Sequence, residues 1–523
     1  VLHATDRGFE LAAAAPIQVP DDIHQVWLSA VNRVLEPFGE EGRLALELAA
    51  VLGRQVDSGE WHLLCAHRGV QIPHGLLAAL ADRALVRKHD ASWSFAHALL
   101  RESLERTAKE AGRLEALHEA CVEVLLAQGA GPIRLGRHML LAGHPEDAMS
   151  PLLTGADIAW SRGEYGRVAE LLLLRERALE RSNVPANDPR WGQGWIRRAR
   201  LAMRRGDVSL GYSLLRQTEK AARLHGWMAE LSETLSSRAA HHAFVGETQL
   251  AIEASEEAVT LAESTGNLLL VARAYRSLGR RLVDRGELER ARILVGQARE
   301  MFCALDDEIG IIQSDQVLFL VARQSGQLEE AHETLQRLLE LQEGRGYRWG
   351  LASAINGMAD LARYNGDLEL AEHRYRRAAE LFMSVSPSAA MSRSVTVNLA
   401  LVLVVQERYD EAAGLLTEAL TAIDDGSSIS VRGFARILLA CCAAGTGRWE
   451  GFDVPFLKGL SLLTRTELLD VDLAGLAEHI ARLALEADQA DRAVRALELA
   501  TRQWRGLGRE DEAERIVALR ASL

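Results

Sequence analysis

Lysine is almost missing from this chain: only Lys88, Lys109, Lys220 and Lys458 occur in 523 residues. None of them follows a glycine, so there is no Gly-Lys-Ser/Thr loop to hold nucleotide phosphates on backbone amides and an ammonium group. The His-Arg-Asp and Asp-Phe-Gly elements of phosphoryl transfer are absent too, as are Gly-x-Ser-x-Gly and His-Glu-x-x-His. The chain is therefore read as carrying no catalytic machinery of its own. Cysteine is scarce: Cys65, Cys121, Cys303, Cys441 and Cys442 form neither a Cys-x-x-Cys pair nor a disulfide-like framework, which fits a reducing compartment. No long apolar run exists. The one to weigh, Leu399 to Val405, falls far short of the roughly 20 residues a spanning helix needs. With no signal peptide, a cytoplasmic location is expected. Positive charge is in deficit, at −13 formally, which argues against a general binder of nucleic acid or anionic membrane. The near-exclusive use of arginine as cation is attributed to genomic base bias. Val1 stands where an initiator methionine would, so the chain is expected to be part of something longer.

What the chain does have is a repeat. The stretch Leu268 to Asp307 holds the turn Gly286-Glu287-Leu288 between two helical patterns, with Gly279 seven residues before the turn glycine, Ala291 five after and Ala298 twelve after. Equivalent turns start at Gly206, Gly246, Gly326, Gly366, Glu407, Gly447 and Asp488, at steps of 40 or 41 residues. Such a fixed period is the mark of a solenoid. In the seven-before and five-after columns all but one residue is Gly or Ala, the exceptions being Phe319 and Phe452; Thr218 and Leu338 interrupt the twelve-after column. Small residues at matched heights let two helix backbones approach, so each unit reads as an antiparallel helix hairpin. An earlier repeat starts at Gly143, with Gly136, Ala148 and Gly155 at the same offsets, and another turn follows at Gly163. The polar, proline-bearing stretch 182–190 reads as a linker. A last helix from about Asp511 reads as the cap that solenoids need. Near Arg448 the pattern is irregular, and Pro455 inside the second helix is expected to bend it.

The hairpin pattern resembles the tetratricopeptide repeat (TPR), lengthened by about six residues over that family's period of 34, with Tyr275 and Trp195 at its aromatic position. Residues 21–130 differ in character. Asp21 and Asp22 cap a helix with Ile23, Val26, Trp27, Val31 and Leu35 on one face. Glu40–Leu52 is a second helix, Asp57 or Ser58 caps a third, and Pro73 opens a fourth that runs to about Ala84. Leu85–Phe95 then alternates as a hairpin around His89-Asp90-Ala91-Ser92. Helices followed by a small hairpin make a winged-helix module, but Gly75–Arg83, its candidate recognition helix, carries almost no charge for phosphates, so DNA is not the expected partner. The runs Ala49–Arg54 and Ser94–Glu102 resemble the winged-helix module of STAND signalling ATPases, closest to large bacterial serine/threonine kinases with an ATPase and a TPR tail. In that group a Met-His-Asp motif sets its histidine against bound nucleotide. His97 matches it, although its neighbours are Ala96 and Ala98.

The expected fold is thus all-α, a winged-helix module followed by a TPR-like α-solenoid, a right-handed superhelix of ~40-residue hairpins. The expected parts are residues 1–20 as the tail of a preceding domain, 21–130 as the winged-helix module, 131–181 as first TPR-like helices, 182–190 as linker and 191–523 as the array. By analogy with TPR geometry, residues thirteen, ten, six and three before each turn face inward. They read Arg273, Arg276 and Arg280, then Gln313, Gln316 and Arg323, then Asn356, Asp360 and Arg363, flanked by an apolar wall of Val397, Leu401 and Val404. A protein or peptide partner, or a small anionic effector, is the expected ligand. The resemblance implies a non-catalytic sensor region controlling an upstream ATPase or kinase in cis, with ATP or ADP held upstream and no cofactor in this chain. A freestanding TPR scaffold or a fragment of a transcription regulator is the alternative. His62, Cys65 and His67 lack a second ligand pair for zinc. Replacing Ala291 by Leu should overpack its hairpin and cost about 1–3 kcal/mol; an unchanged melting curve would speak against the register.

Overall fold

The computed structural model describes residues 2–5, 8–11, 21–342, 348–385, 390–423, 428–466 and 468–521. The chain divides into two compact units, residues 1–156 with 173–184, and residues 157–172 with 185–523.

In the first unit, strands β1 (Leu2–Thr5) and β2 (Gly8–Leu11) pair antiparallel, Leu2 opposite Leu11. Helices α1 (Asp21–Leu35) and α2 (Gly39–Leu52) follow, then β3 (Gln55–Asp57), α3 (Ser58–His67), α4 (Leu76–Asp82), and the hairpin β4 (Val86–Lys88) and β5 (Ser92–Phe95). The three strands make an antiparallel sheet in the order β3-β5-β4. Helices α5 (Ala98–Glu110), α6 (Leu114–Ala127) and α7 (Pro132–Leu141) complete it, and α8 (Pro145–Ser161) and α9 (Tyr165–Arg181) run through both units. Of the two caps offered for α3, Asp57 does the capping, accepting from the Glu60 amide at 2.9 Å. The core centres on Trp61, Trp93 and Phe95, with Trp93 edge-on to each of the others at 5.1 and 5.0 Å.

Two sequence expectations fail here. Val26 is 67% exposed and leaves the core face of α1 to Val31, Val34 and Leu35. Pro73 lies ahead of α4, which starts only after Gly75 takes a φ of +84°, a value proline could not lead into as part of one continuous helix.

The second unit is a stack of hairpins. Its helices are α10 (Pro189–Arg204), α11 (Val208–His225), α12 (Met228–Phe244), α13 (Thr248–Thr265), α14 (Leu268–Asp284), α15 (Leu288–Ala304), α16 (Glu308–Gln324), α17 (Leu328–Gln342), α18 (Arg348–Tyr364), α19 (Leu368–Val385), α20 (Ala390–Val405), α21 (Tyr409–Ile423), α22 (Ile429–Gly445), α23 (Asp453–Thr466), α24 (Val471–Glu486), α25 (Ala490–Gly506) and α26 (Glu510–Ala521). All eight turn positions read from the sequence take left-handed φ, from +54° to +91°, including the non-glycines Glu407 and Asp488. Every residue of the three small columns is buried. A Cβ at Gly279 would run into Val295 and meet the Ala291 carbonyl at 3.4 Å, so the backbones of α14 and α15 do meet there. The larger residues in these columns are absorbed locally: the Thr218 hydroxyl donates to the Leu214 carbonyl at 2.7 Å, and Phe452 stacks on Phe456 at 5.0 Å. Pro455 does not bend a helix. A 3-10 turn, Trp449–Gly451, delays the start of α23 to Asp453, which puts the proline in the first turn where its missing N–H costs nothing. α26 caps the stack, with Ile516 in the core of the last repeats.

In the first unit, His118 and His138 are buried with their Nδ1 atoms 3.0 Å apart, so one donates and the other accepts and both rings are neutral. Burial, helped by Arg137 and Arg101, lowers the His118 pKa from 6.5 to about 4. Burial and the neighbouring His118 lower His138 to about 3. The folded state therefore binds fewer protons than the unfolded state below pH 6.5, and stability falls as pH drops through that value toward about 3. A His138→Gln variant should lose part of this acid slope in urea titrations at pH 7, 6, 5 and 4; an unchanged slope would show that the pair is not buried neutral.

Candidate functional site

The inward offsets converge on real cavities. One of ≈ 650 Å³ is lined from six consecutive repeats and from the connection between α23 and α24. Polar residues dominate one wall: Arg276, Arg280 and Arg281 of α14, Gln313 and Gln316 of α16, Ser353 and Asn356 of α18, and Ser394 and Asn398 of α20. These stand at or beside the thirteen-, ten- and six-before positions because each hairpin repeats the last at a 40-residue step, which returns the same helix face to the groove. Asn398 donates to Asn356 Oδ1 at 3.3 Å, and the buried Nε2 of Gln316 has no hydrogen-bond partner. An amide left so is an obvious place for a ligand acceptor, since an unpaired buried donor costs about 1–3 kcal/mol.

A second cavity, of ≈ 630 Å³, continues the groove toward α10 and shares Ala240, Arg276, Arg280, Arg281 and Gln313 with the first. Here Arg273 Nη1 donates to Glu233 Oε1 at 3.1 Å, and Arg197 and Arg200 stand 3.8 and 3.9 Å from the other Glu233 oxygen. Burial would raise the Glu233 pKa, but Arg200, Arg197 and Arg273 hold it below its usual range. The Arg200 guanidinium is itself pushed down, by burial first and then by Arg197 and Arg273. Arg280 and Arg281 both pair with Asp284, Arg281 at 3.2 Å.

The other three predicted partner residues have a different role. Arg323 Nη1 and Nη2 donate to Asp472 and Asp470 at 3.2 and 3.3 Å, Arg363 Nη2 donates to Asp472 at 2.8 Å, and the Tyr364 hydroxyl donates to Asp472 Oδ1 at 2.9 Å. Arg363 also lies over the Tyr364 ring, 4.4 Å from its centroid. Asp360 is buried and accepts from the Tyr375 hydroxyl; burial raises its pKa. Burial acts against both carboxylates at the start of α24, yet Arg363 and Arg323 hold Asp472 below its ordinary value, while Asp470 is raised. Asp472 is thus the carboxylate that the two arginines share.

The connection follows the row of turns. Thr248 donates to the Thr466 carbonyl at 2.5 Å, a Cβ on Gly246 would meet Thr466 at 2.9 Å, and one on Gly286 would meet Leu469 at 3.0 Å. Gln503 fixes it from behind, donating to the Leu468 carbonyl at 3.0 Å and accepting from the Asp470 amide at 2.9 Å. The expected apolar wall opens to the groove only at Val397. Val397 lines the first cavity, but Leu401 and Val404 belong to the continuous hydrophobic core of the last repeats.

His97 lies in the first unit, at the extended residue before α5, exposed and with its ring 4.9 Å from that of Trp27; its side chain caps nothing. Among the described residues no three His, Cys, Asp or Glu side chains gather as a metal site, and no helix is long and apolar enough to cross a membrane. Applying the same offsets to every repeat finds Arg200, Glu233 and Ser394 as well. Asp470 and Asp472 follow no offset, and the one local mark, Asp470 as the N-cap of α24, says nothing of the arginines.

Removing one partner of a buried ion pair strands the other. Asp472→Ala should therefore cost about 3–5 kcal/mol in urea unfolding, and replacing Arg323, Arg363 and Asp472 together by apolar residues should recover much of it. A loss within about 1 kcal/mol for Asp472→Ala would mean the connection does not sit on these arginines in solution.

No family model and no curated protein matches the chain. Among solved structures it is similar to a Rap protein complexed with competence and sporulation factor, at a TM-score of 0.56 and 14% identity over 69% of this chain and 99% of that one. It also aligns with a STAND protein with a tetratricopeptide repeat sensor from Pyrococcus horikoshii, at 0.46 and 13% over 92% and 68%, and with NprR in complex with its cognate peptide NprX, at 0.46 and 16% over 68% and 98%. The second unit thus has the fold of a TPR-like helical solenoid.

Proposed function

We propose that this chain is a non-catalytic sensor region of a multidomain bacterial signalling protein, and that it binds a peptide or a segment of a partner protein in the groove of its repeats. The observation that carries this is the continuous groove itself, whose arginine, amide and hydroxyl side chains come from the same helix face of consecutive repeats. Cavities of this size are typical of ligand sites, and amides spaced along a groove suit the backbone of an extended segment. The Rap protein, similar in fold, was solved in complex with competence and sporulation factor, which by fold analogy supports a bound partner for these repeats.

In this reading the first unit is the coupling element. Its helices α2 to α4 with the β4–β5 hairpin as wing support a winged-helix module, and the seven-residue α4 is too apolar to read DNA. An upstream ATPase or kinase, acting in the cytoplasm, would pack on this module, and its nucleotide would meet His97, which is exposed at the start of α5. Signalling then requires that ligand-bound and ligand-free repeats present different contacts to the upstream domain.

The test uses the full-length protein. Arg276→Glu with Arg280→Glu should abolish partner binding and shift basal ATPase or kinase activity. His97→Ala should speed nucleotide loss. Unaltered partner binding and activity in the first variant would overturn the groove assignment; unaltered nucleotide retention in the second would remove His97 from the mechanism.

A further inference from the structure

The chain itself demonstrates how an acidic stretch sits in this groove. Between α23 and α24 the backbone at Leu468–Asp470 leaves helical geometry, and Asp470 and Asp472, two residues apart, meet Arg323 and Arg363 from two consecutive repeats. Two arginines one repeat apart are thus spanned by one short length of chain. Bonds from guanidinium to carboxylate are among the stronger polar contacts a protein makes, so this geometry is a template for recognition as well as a closure.

Toward α10 the same groove carries more positive charge, and no residue of that connection lines it. Seven arginines, among them Arg200, Arg273, Arg280 and Arg281, line the second cavity against three carboxylates, Asp157, Glu233 and Asp307. Asp284, on the adjoining wall, adds a fourth. All four acids are already committed, Asp157 to both edges of Arg197 at 2.8 Å, Asp307 to the Gly310 amide at 3.0 Å, Glu233 to Arg273 at 3.1 Å and Asp284 to Arg280 and Arg281, and they are still outnumbered by the arginines. The result is a local excess of cations in a chain whose net charge is −13. Like charges crowded on a concave, poorly hydrated wall repel one another, and burial and Arg280 depress the Arg281 pKa in keeping with this. An incoming anion relieves that repulsion.

Resting on the groove as the partner site, we propose that this second cavity receives an acidic segment of a partner protein, with its carboxylates set against the arginines of α10 and α14 as Asp470 and Asp472 are set against Arg323 and Arg363. The specificity is for carboxylate pairs on a peptide backbone and not for free polyanions, because the neighbouring amides Gln313 and Gln316 offer the backbone its own partners. The apolar residues Leu270, Phe302 and Ile309 on the same wall suit the aliphatic side chains between the acids.

The experiment is fluorescence anisotropy on the intact chain with a labelled octapeptide copying residues 466–473, beside a control in which its acids are replaced by their amides. The acidic peptide should bind, and its affinity should fall by roughly tenfold or more in Arg273→Ala with Arg280→Ala, the loss of two charge-assisted bonds. Inorganic tripolyphosphate at equal concentration should leave it bound. Equal affinity for the amide control would overturn the acidic specificity while leaving the groove as a peptide site. Displacement by tripolyphosphate would make the cavity a free-polyanion site and overturn the partner assignment. If neither peptide binds, the inference fails outright, and the broader function stands or falls by the activity of the full-length Arg276→Glu, Arg280→Glu variant.

Discussion

The close approach of paired helices at small residues governs everything else in the second unit. Where Gly279 faces α15, the Val295 side chain fills the space a Cβ would need and the Ala291 carbonyl lies just beyond, so the rotation of α14 about its own axis is fixed. Once that rotation is fixed, Arg273, Arg276 and Arg280 have only one direction left to point, into the groove. The left-handed turn residues do the complementary job. With φ positive at each of the eight turn positions, the chain reverses within two or three residues and delivers the second helix in register. Forty-residue periodicity then multiplies a single local solution into a wall.

That wall is polar at a cost. Buried charges are expensive to desolvate, and a pair such as Arg363 with Asp472 is weak evidence for stability by itself. Its consequence is positional. Asp472 satisfies Arg323, Arg363 and Tyr364 together only if the start of α24 lies against α16 and α18, so the network selects one placement of the last repeats over others that would bury equal apolar area. Gln503 behind the connection enforces the same placement through neutral hydrogen bonds. The hydrophobic core of repeats six to eight gives adhesion; the carboxylates give register.

The first unit is built on another principle. Its core holds three large aromatics edge to face, and its small sheet is closed by pairing Val56 with Trp93 and Lys88 with Trp93. The buried pair His118 with His138 is kept neutral by the same desolvation that in the groove is opposed by salt bridges. The difference is whether a carboxylate is at hand. Burial with no opposite charge neutralises a group, whereas burial between opposite charges keeps it ionised.

The sequence by itself determined the helix hairpins, their turns and the face each presents, because these depend on contacts between residues fewer than about twenty apart, and small residues at fixed offsets leave a readable mark. Its offsets also fall on residues that line the cavities, Gln313 and Asn356 in the first and Arg273 with Gln313 in the second. It misplaced Val26, Pro73 and Pro455, where a single residue's propensity was outvoted by packing or by a 3-10 turn beginning a little earlier. The tertiary structure alone decided that Arg323 and Arg363 are met by Asp470 and Asp472, more than a hundred residues along the chain, and that Leu401 and Val404 are core. An acidic pair in a connection between helices carries no local signal of its partner. Only the curvature summed over four repeats brings that pair to the arginines, and curvature of that kind comes from many small packing angles that no single offset encodes.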